Sequence, residues 1–201
     1  MSEWIFTLIE DGGYWGVALL MLLETVFPPI PSEVIMPLAG VVAARGQLSL
    51  PLVIVAGTAG AMAGNMVWYG AAQLLGYERF RPLVARFGRW LTLDWDEVEK
   101  GHRLFDRYGA TIVFIGRMLP TVRSLVSIPA GLLHMKLVPF ILWSTLGSLI
   151  WTAGLAIAGW VLGNQFEDIE KILGPLSIAV IAAIILFYLY RVLTWKPQAR
   201  G

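Results

Sequence analysis

Charged side chains are spaced along the chain so that long uncharged runs lie between them. A charge at the centre of a bilayer costs about 2.5 to 3.5 kcal/mol on insertion scales, so these runs are the candidate membrane segments. Three of them, residues 46–77, 137–166 and 172–190, are long enough to cross, since a helical crossing takes about 20 residues. Four others, 12–23, 34–44, 108–116 and 124–135, are 9 to 12 residues long. Twelve helical residues cover roughly 18 Å, little more than half of a hydrocarbon core about 30 Å thick.

The short runs come in two pairs, each flanking a proline-containing segment with two charges: ETVFPPIPSE at 24–33 and RMLPTVR at 117–123. Pro28, Pro29 and Pro31 in the first, and Pro120 in the second, remove backbone donors and clash with a preceding helical turn. The pattern predicts an all-α integral membrane protein forming a single membrane domain over residues 1–201. Within it are an N-terminal interfacial segment (1–13), re-entrant hairpins at 14–44 and 108–135 with those prolines at their tips, and transmembrane helices at 46–77, 137–166 and 172–190. Residues 78–107 read as amphipathic and interfacial. There Pro82 can open a short helix, and Asp94 with Glu97 resembles a capping box ahead of Trp95, Val98, His102 and Phe105 at helical spacing.

Basic residues test the topology. With both hairpins re-entrant, eleven fall on the cytoplasmic side (Arg79, Arg81, Arg86, Arg89, Lys100, Arg103, Arg107, Lys136, Arg191, Lys196, Arg200) against two outside, Arg45 and Lys171. A second hairpin that crossed would reduce this to eight against five, so the positive-inside rule prefers re-entry and a cytoplasmic C-terminus. It leaves the first hairpin and the N-terminus untested, because no Lys or Arg precedes Glu24. The acidic cluster Glu167, Asp168 and Glu170 then lies outside. Trp68, Tyr69, Tyr188, Tyr190 and Trp195 fall near span ends and read as interface anchors.

The halves carry a weak repeat. MPLAG (36–40), Pro51 and a crossing bracketed by Gly60 and Gly76 parallel IPAG (128–131), Pro139 and a crossing bracketed by Gly147 and Gly163, both glycine pairs being 16 residues apart. A hairpin plus one crossing places the second copy upside down relative to the first, the inverted-repeat plan of many secondary transporters.

Composition agrees with a bilayer setting: 57% of residues are apolar and 14% charged, against about 25% charged in soluble domains. A net charge of +1 gives no footprint for nucleic acid. No cysteine is present, which excludes disulfides, thiolate metal sites and thiol nucleophiles. Two histidines, His102 and His134, make a histidine-rich metal or catalytic site a poor expectation, and no metal or cofactor is expected. Glu3, Glu10 and Asp11 stand where a cleavable leader carries Lys or Arg, so the start reads as mature sequence.

Four charges sit in or beside the tips: Glu24, Glu33, Arg117 and Arg123. Buried singly at about 3 kcal/mol each they would cost roughly 12 kcal/mol, the whole stability of an ordinary domain, so they must be paired or hydrated. If the tips meet, two acids face two arginines. Guanidinium forks suit a phosphate. An anion seated there strips the glutamates of their counter-charges and favours their protonation. This points to Arg117 and Arg123 for phosphate binding and to Glu24 and Glu33 for proton coupling; a structural salt-bridge clasp is the alternative.

At ETVFPPIPSEVIMPLAG (24–40) and FIGRMLPTVRSLVSIPAGLLHM (114–135) the chain resembles the DedA, or VTT-domain, family of membrane proteins. The resemblance implies a transporter or flippase of a phosphorylated lipid in the bacterial cytoplasmic membrane. Its lipid would be undecaprenyl phosphate recycled with dependence on the proton gradient, with Glu24 and Glu33 matching the family's functional acids and Arg117 and Arg123 its arginines. The expected partners are that lipid or another anionic one, protons and bilayer lipids; the oligomeric state is open. Rival readings are a passive scramblase and a membrane-embedded lipid-phosphate hydrolase. The hydrolase would need a histidine near the arginines, where His134 reads better as interfacial, and Ser32, Ser124 and Ser127 have no base at a recognisable spacing.

Overall fold

The computed structural model describes residues 2–27, 32–91, 95–119, 122–163, 186 and 190–194. The tip prolines 28, 29, 31 and 120, the capping residue Asp94, the acidic cluster at 167–170 and nearly all of the expected crossing 172–190 lie outside the described residues.

Six helices account for most of the described chain: α1 (Ser2–Val26), α2 (Ser32–Ala44), α3 (Leu50–Leu91), α4 (Trp95–Met118), α5 (Ser127–Leu132) and α6 (Leu137–Leu162). Among the described residues three stretches are long and apolar enough to cross a membrane: Trp4–Val26, Leu50–Pro82 and Leu137–Leu162; Ser32–Ala44 is a shorter apolar helix. The second and third coincide with expected crossings. The first consists of two helical pieces joined at Gly13 (φ 54°), where the sequence pattern sets the boundary between the interfacial segment 1–13 and the arm that begins at residue 14; Glu10 and Asp11 lie within the first piece.

Breaks inside the long helices fall near the expected boundaries. Gly76, at φ 68°, redirects α3 at the end of its apolar stretch, a conformation that a residue with a Cβ adopts at a cost. Pro82 follows inside α3 rather than opening a separate helix. α4 is interrupted at Tyr108 (φ −130°, ψ 18°), where its charged first half gives way to an apolar second half. The expected second arm of hairpin 2, residues 124–135, is helical over only half its length: residues 122–126 are turn, and α5 is six residues long.

The packing has a reciprocal form. α1 packs chiefly on α3 and α4 on α6, while α2 packs on α6 and α5 on α3. The helices before the two tip segments, α1 and α4, therefore lie on the long apolar helix that follows each in sequence, and those after them, α2 and α5, on the other long apolar helix. Glycines make these approaches close. A Cβ at Gly60 would collide with the Ala18 carbonyl of α1, and one at Gly147 with Arg117 and the Phe114 carbonyl of α4. A Cβ at Gly40 of α2 would strike the Ala156 carbonyl of α6, and one at Gly131 of α5 the Tyr69 carbonyl of α3. Where backbones touch, packing and interhelical hydrogen bonds take the place of the hydrophobic drive that lipid cannot supply.

Two aromatic residues read from sequence as interface anchors have other roles. Tyr69 is buried, stacks on Phe140 with ring centroids 4.3 Å apart and donates to the Met135 carbonyl at 2.5 Å. Trp68 donates from Nε1 to the Thr25 carbonyl at 3.0 Å, tying α3 to the end of α1. Both satisfy polar groups between helices, which a position near a span end does not reveal.

Candidate functional site

The end of α1 and the turn after α4 meet between α3 and α6. Gly64 admits the approach on one side, since a Cβ there would press on Thr25, and Gly147 admits Arg117 on the other. The carboxylate of Glu24 reaches the guanidinium of Arg123, Oε1 to Nη2, at 2.5 Å. Its other oxygen accepts from the Thr25 hydroxyl at 3.3 Å, which also donates to the Met21 carbonyl at 2.8 Å. Glu24, Arg117 and Arg123 are 7%, 2% and 8% exposed, so this is a charge cluster withdrawn from the surface.

Arg117 is held by neutral groups. Nη1 donates to Asn65 Oδ1 at 2.7 Å and to the carbonyl of Arg123, and Nη2 donates to Ser127 Oγ at 2.8 Å and Ser144 Oγ at 3.1 Å. Nε also points to Ser144 Oγ, at 3.4 Å. Asn65, Ser127 and Ser144 are themselves buried. The guanidinium of Arg117 lies 5.8 Å from the Phe140 ring centre and that of Arg123 5.9 Å from the Trp151 ring centre, at the outer reach of cation–π attraction. The 122–126 turn, closed by Val122 and Arg123 amides donating to the Leu119 carbonyl at 3.2 and 3.1 Å, aims the Arg123 carbonyl at Arg117.

Glu33 is placed differently. It stands in the first turn of α2, where the exposed amides of a helix N-terminus favour a carboxylate. It is near enough to repel Glu24 electrostatically, yet among the described residues it forms no salt bridge with either arginine. The structure thus brings together Glu24, Arg117 and Arg123 and leaves Glu33 beside them, one acid paired where the sequence pattern has two. Those three side chains carry a formal sum of +1. The cavity beside the two arginines, lined also by Thr25, Ala61, Asn65, Ser124 and Ser148, is about 10 Å³, on the scale of a single water.

Reading charges alone overlooks the neutral half of the site. Asn65 is visible in hindsight as an amide inside an apolar run, and Ser144, Ser148 and Thr152 recur every four residues on the buried face of α6. One turn beyond the cavity, Thr152 and Thr58 hydroxyls join α6 to α3 at 2.8 Å. His134 lies away from the arginines, beside Gly76, and His102 pairs with Asp106 at 3.4 Å on α4. Among the described residues no group of three His, Asp or Glu side chains is placed to hold a metal.

An all-helical membrane protein with a buried cationic cluster between helix ends is the class that this geometry defines. The VTT domain matches residues 30–161, and the chain belongs to that family, the DedA family of membrane proteins. A relative from Lactococcus lactis subsp. lactis, named alkaline phosphatase-like protein, is 37% identical over 199 residues, covering 98% of this chain and 93% of its own. Undecaprenyl phosphate transporter A of Staphylococcus aureus is 32% identical over 190 residues, covering 94% of each chain. Its namesake in Bacillus subtilis is 28% identical over 191 residues, covering 93% and 92%. No solved structure matches the chain.

Proposed function

We propose that this protein moves a phosphorylated polyprenyl lipid, undecaprenyl phosphate, across the bacterial cytoplasmic membrane, with Arg117 and Arg123 receiving the phosphate and Glu24 linking that event to a proton. The observation that carries the reading is the Glu24–Arg123 contact at 2.5 Å inside the charge cluster. The cavity beside the arginines has room for about one water, and a phosphate is several times larger than a water, so it enters by displacing the Glu24 carboxylate from Arg123. A carboxylate freed in so poorly hydrated a place favours its protonated form, and return of the carboxylate to Arg123 expels the anion and the proton together. Glu33, on the first turn of α2, sets the potential around Glu24 rather than contacting the phosphate.

Two opposed re-entrant hairpins in an inverted repeat fit this work, because broken elements from opposite faces then meet near the midplane. The reciprocal packing supports that arrangement, as do the matched glycines: Gly60 and Gly147 each receive a first arm, Gly40 and Gly131 each press a second arm onto a crossing, and Gly76 and Gly163 both have positive φ. The 13 residues of α1 beyond the Gly13 bend cover roughly 20 Å, short of the bilayer core. On this cysteine-free background, single substitutions Gly12→Cys, Arg45→Cys, Tyr108→Cys and Lys136→Cys report the topology. Labelling with a membrane-impermeant maleimide is expected to place the first two on the outside and the last two in the cytoplasm. Splitting of either pair between the two faces would exclude a re-entrant hairpin there.

The alkaline phosphatase-like names among the relatives raise hydrolysis as the rival. Among the described residues the serines that touch Arg117, Ser127 and Ser144, have no histidine or carboxylate hydrogen-bonded to them that would activate a nucleophile. Purified protein in sealed vesicles with undecaprenyl phosphate separates the readings. Translocation that accelerates at least tenfold under a proton gradient, with no inorganic phosphate released, is the expected result. Gradient-independent exchange would identify a scramblase, and stoichiometric phosphate release an enzyme.

A further inference from the structure

Outside the charge cluster the molecule has an apolar cavity of about 380 Å³ between α3 beyond its Gly76 break, α4 on both sides of its Tyr108 interruption, and α5. This is within the usual range for small-molecule sites, about 300 to 1,000 Å³. Phe80, Phe105, Ile112, Ile128, Leu132 and Leu133 supply most of its wall. Tyr77 and His102, whose rings are 4.7 Å apart, bring the polar groups. The cavity adjoins the arginine site through two short stretches of chain. Ser127 accepts a hydrogen bond from Arg117 while its neighbour Ile128 faces the cavity. Ile112 stands five residues before Arg117 on α4, roughly 7.5 Å along the axis.

We propose that this cavity holds the first isoprene units of the transported lipid's tail, an inference that rests on the phosphate reading of the arginine site. A phosphate seated at Arg117 must let its hydrocarbon chain leave the cluster, and the apolar wall nearest to Ser127 begins at Ile128. Methyl-branched isoprene units are bulkier along their length than a straight alkyl chain. They suit a broad cavity walled by two phenyl rings and branched aliphatic side chains. The tail site then selects the lipid class, and the arginines select its charge.

Gly101 offers a test, because it lines the cavity and no side chain or neighbouring helix lies within 4 Å of where its Cβ would be. Gly101→Phe therefore adds a ring at the cavity wall without a collision against a neighbouring helix, and replacing glycine within a helix does not weaken it. The measurement is binding of radiolabelled farnesyl phosphate, hexadecyl phosphate and inorganic phosphate to the full chain in phosphatidylcholine nanodiscs. Gly101→Phe is expected to weaken farnesyl phosphate at least tenfold and to leave inorganic phosphate within twofold, with Gly101→Ala close to wild type and Arg117→Lys weakening both ligands. Unchanged farnesyl phosphate binding in Gly101→Phe, with Arg117→Lys still impaired, overturns the tail site and leaves the phosphate reading standing. Indifference of every ligand to Arg117→Lys overturns the phosphate reading, and the tail assignment with it. An equal loss for hexadecyl phosphate would make this a general alkyl groove and overturn the prenyl assignment. Should Gly101→Phe not accumulate, Leu104→Trp, at an exposed position on the same wall, gives the same readout.

Discussion

Arg117→Lys is expected to reduce lipid-phosphate transport by at least tenfold while the protein still accumulates in the membrane. The arginine serves Asn65 Oδ1, the Arg123 carbonyl, Ser127 Oγ and Ser144 Oγ from one planar fork. A lysine retains the charge but has three donors on one nitrogen and cannot reproduce the fork. Arg117→Ala sets two effects against each other. It strands the buried Arg123 carbonyl at about 1 to 3 kcal/mol, while Asn65 Oδ1 keeps the Ser127 hydroxyl at 3.3 Å. It also removes a buried charge with no carboxylate of its own, which relieves desolvation. The two largely offset, so the thermal midpoint of the alanine variant in detergent should fall by no more than several degrees even though transport is lost. Wild-type transport by Arg117→Lys would show that the fork binds nothing in the cycle, and collapse of folding in both variants would reassign Arg117 to structure.

That separation of stability from function could not be drawn from the sequence. Charge spacing marked α3 and α6 as crossings, and the prolines marked where continuous helices stop, because both arguments depend on single residues with large costs. The meeting of Glu24 with Arg123 was legible as one of two options, because isolated charges are too expensive in lipid and must be paired or hydrated. Which acid pairs was not legible. Glu24 and Glu33 flank the same segment, and the choice depends on Glu33 falling in the first turn of α2 while Glu24 faces the Arg123 turn. The helical piece of α1 before Gly13 escaped the same reasoning, since an acidic pair interrupts an uncharged run without interrupting a helix. Asn65, Ser127 and Ser144 were hidden for the opposite reason: neutral hydroxyls and amides are common packing groups in membrane helices, and their aim at Arg117 is a property of the assembled fold.

Glu24→Gln is expected to tighten binding of inorganic phosphate by about tenfold, which is about 1.4 kcal/mol, and to abolish acceleration by a proton gradient. The sign follows from competition. In the resting arrangement the carboxylate occupies the guanidinium that the anion needs, and glutamine keeps the shape while removing the charge. The formal sum over positions 24, 117 and 123 then rises from +1 to +2, so an anion is drawn in more strongly and released more slowly. Glu33→Gln, which breaks no ion pair among the described residues, should change binding by less than threefold. A structural clasp predicts the reverse: loss of one partner from a buried pair costs about 3 to 5 kcal/mol, so Glu24→Gln would be unstable and would bind phosphate no better than wild type. The double variant Glu24→Gln with Arg123→Gln completes the cycle. Under competition it loses the tight phosphate binding of Glu24→Gln, because the acceptor of the anion has gone with its competitor. Weaker phosphate binding in a folded Glu24→Gln protein would eliminate the displacement mechanism, since nothing would then have been competing for Arg123.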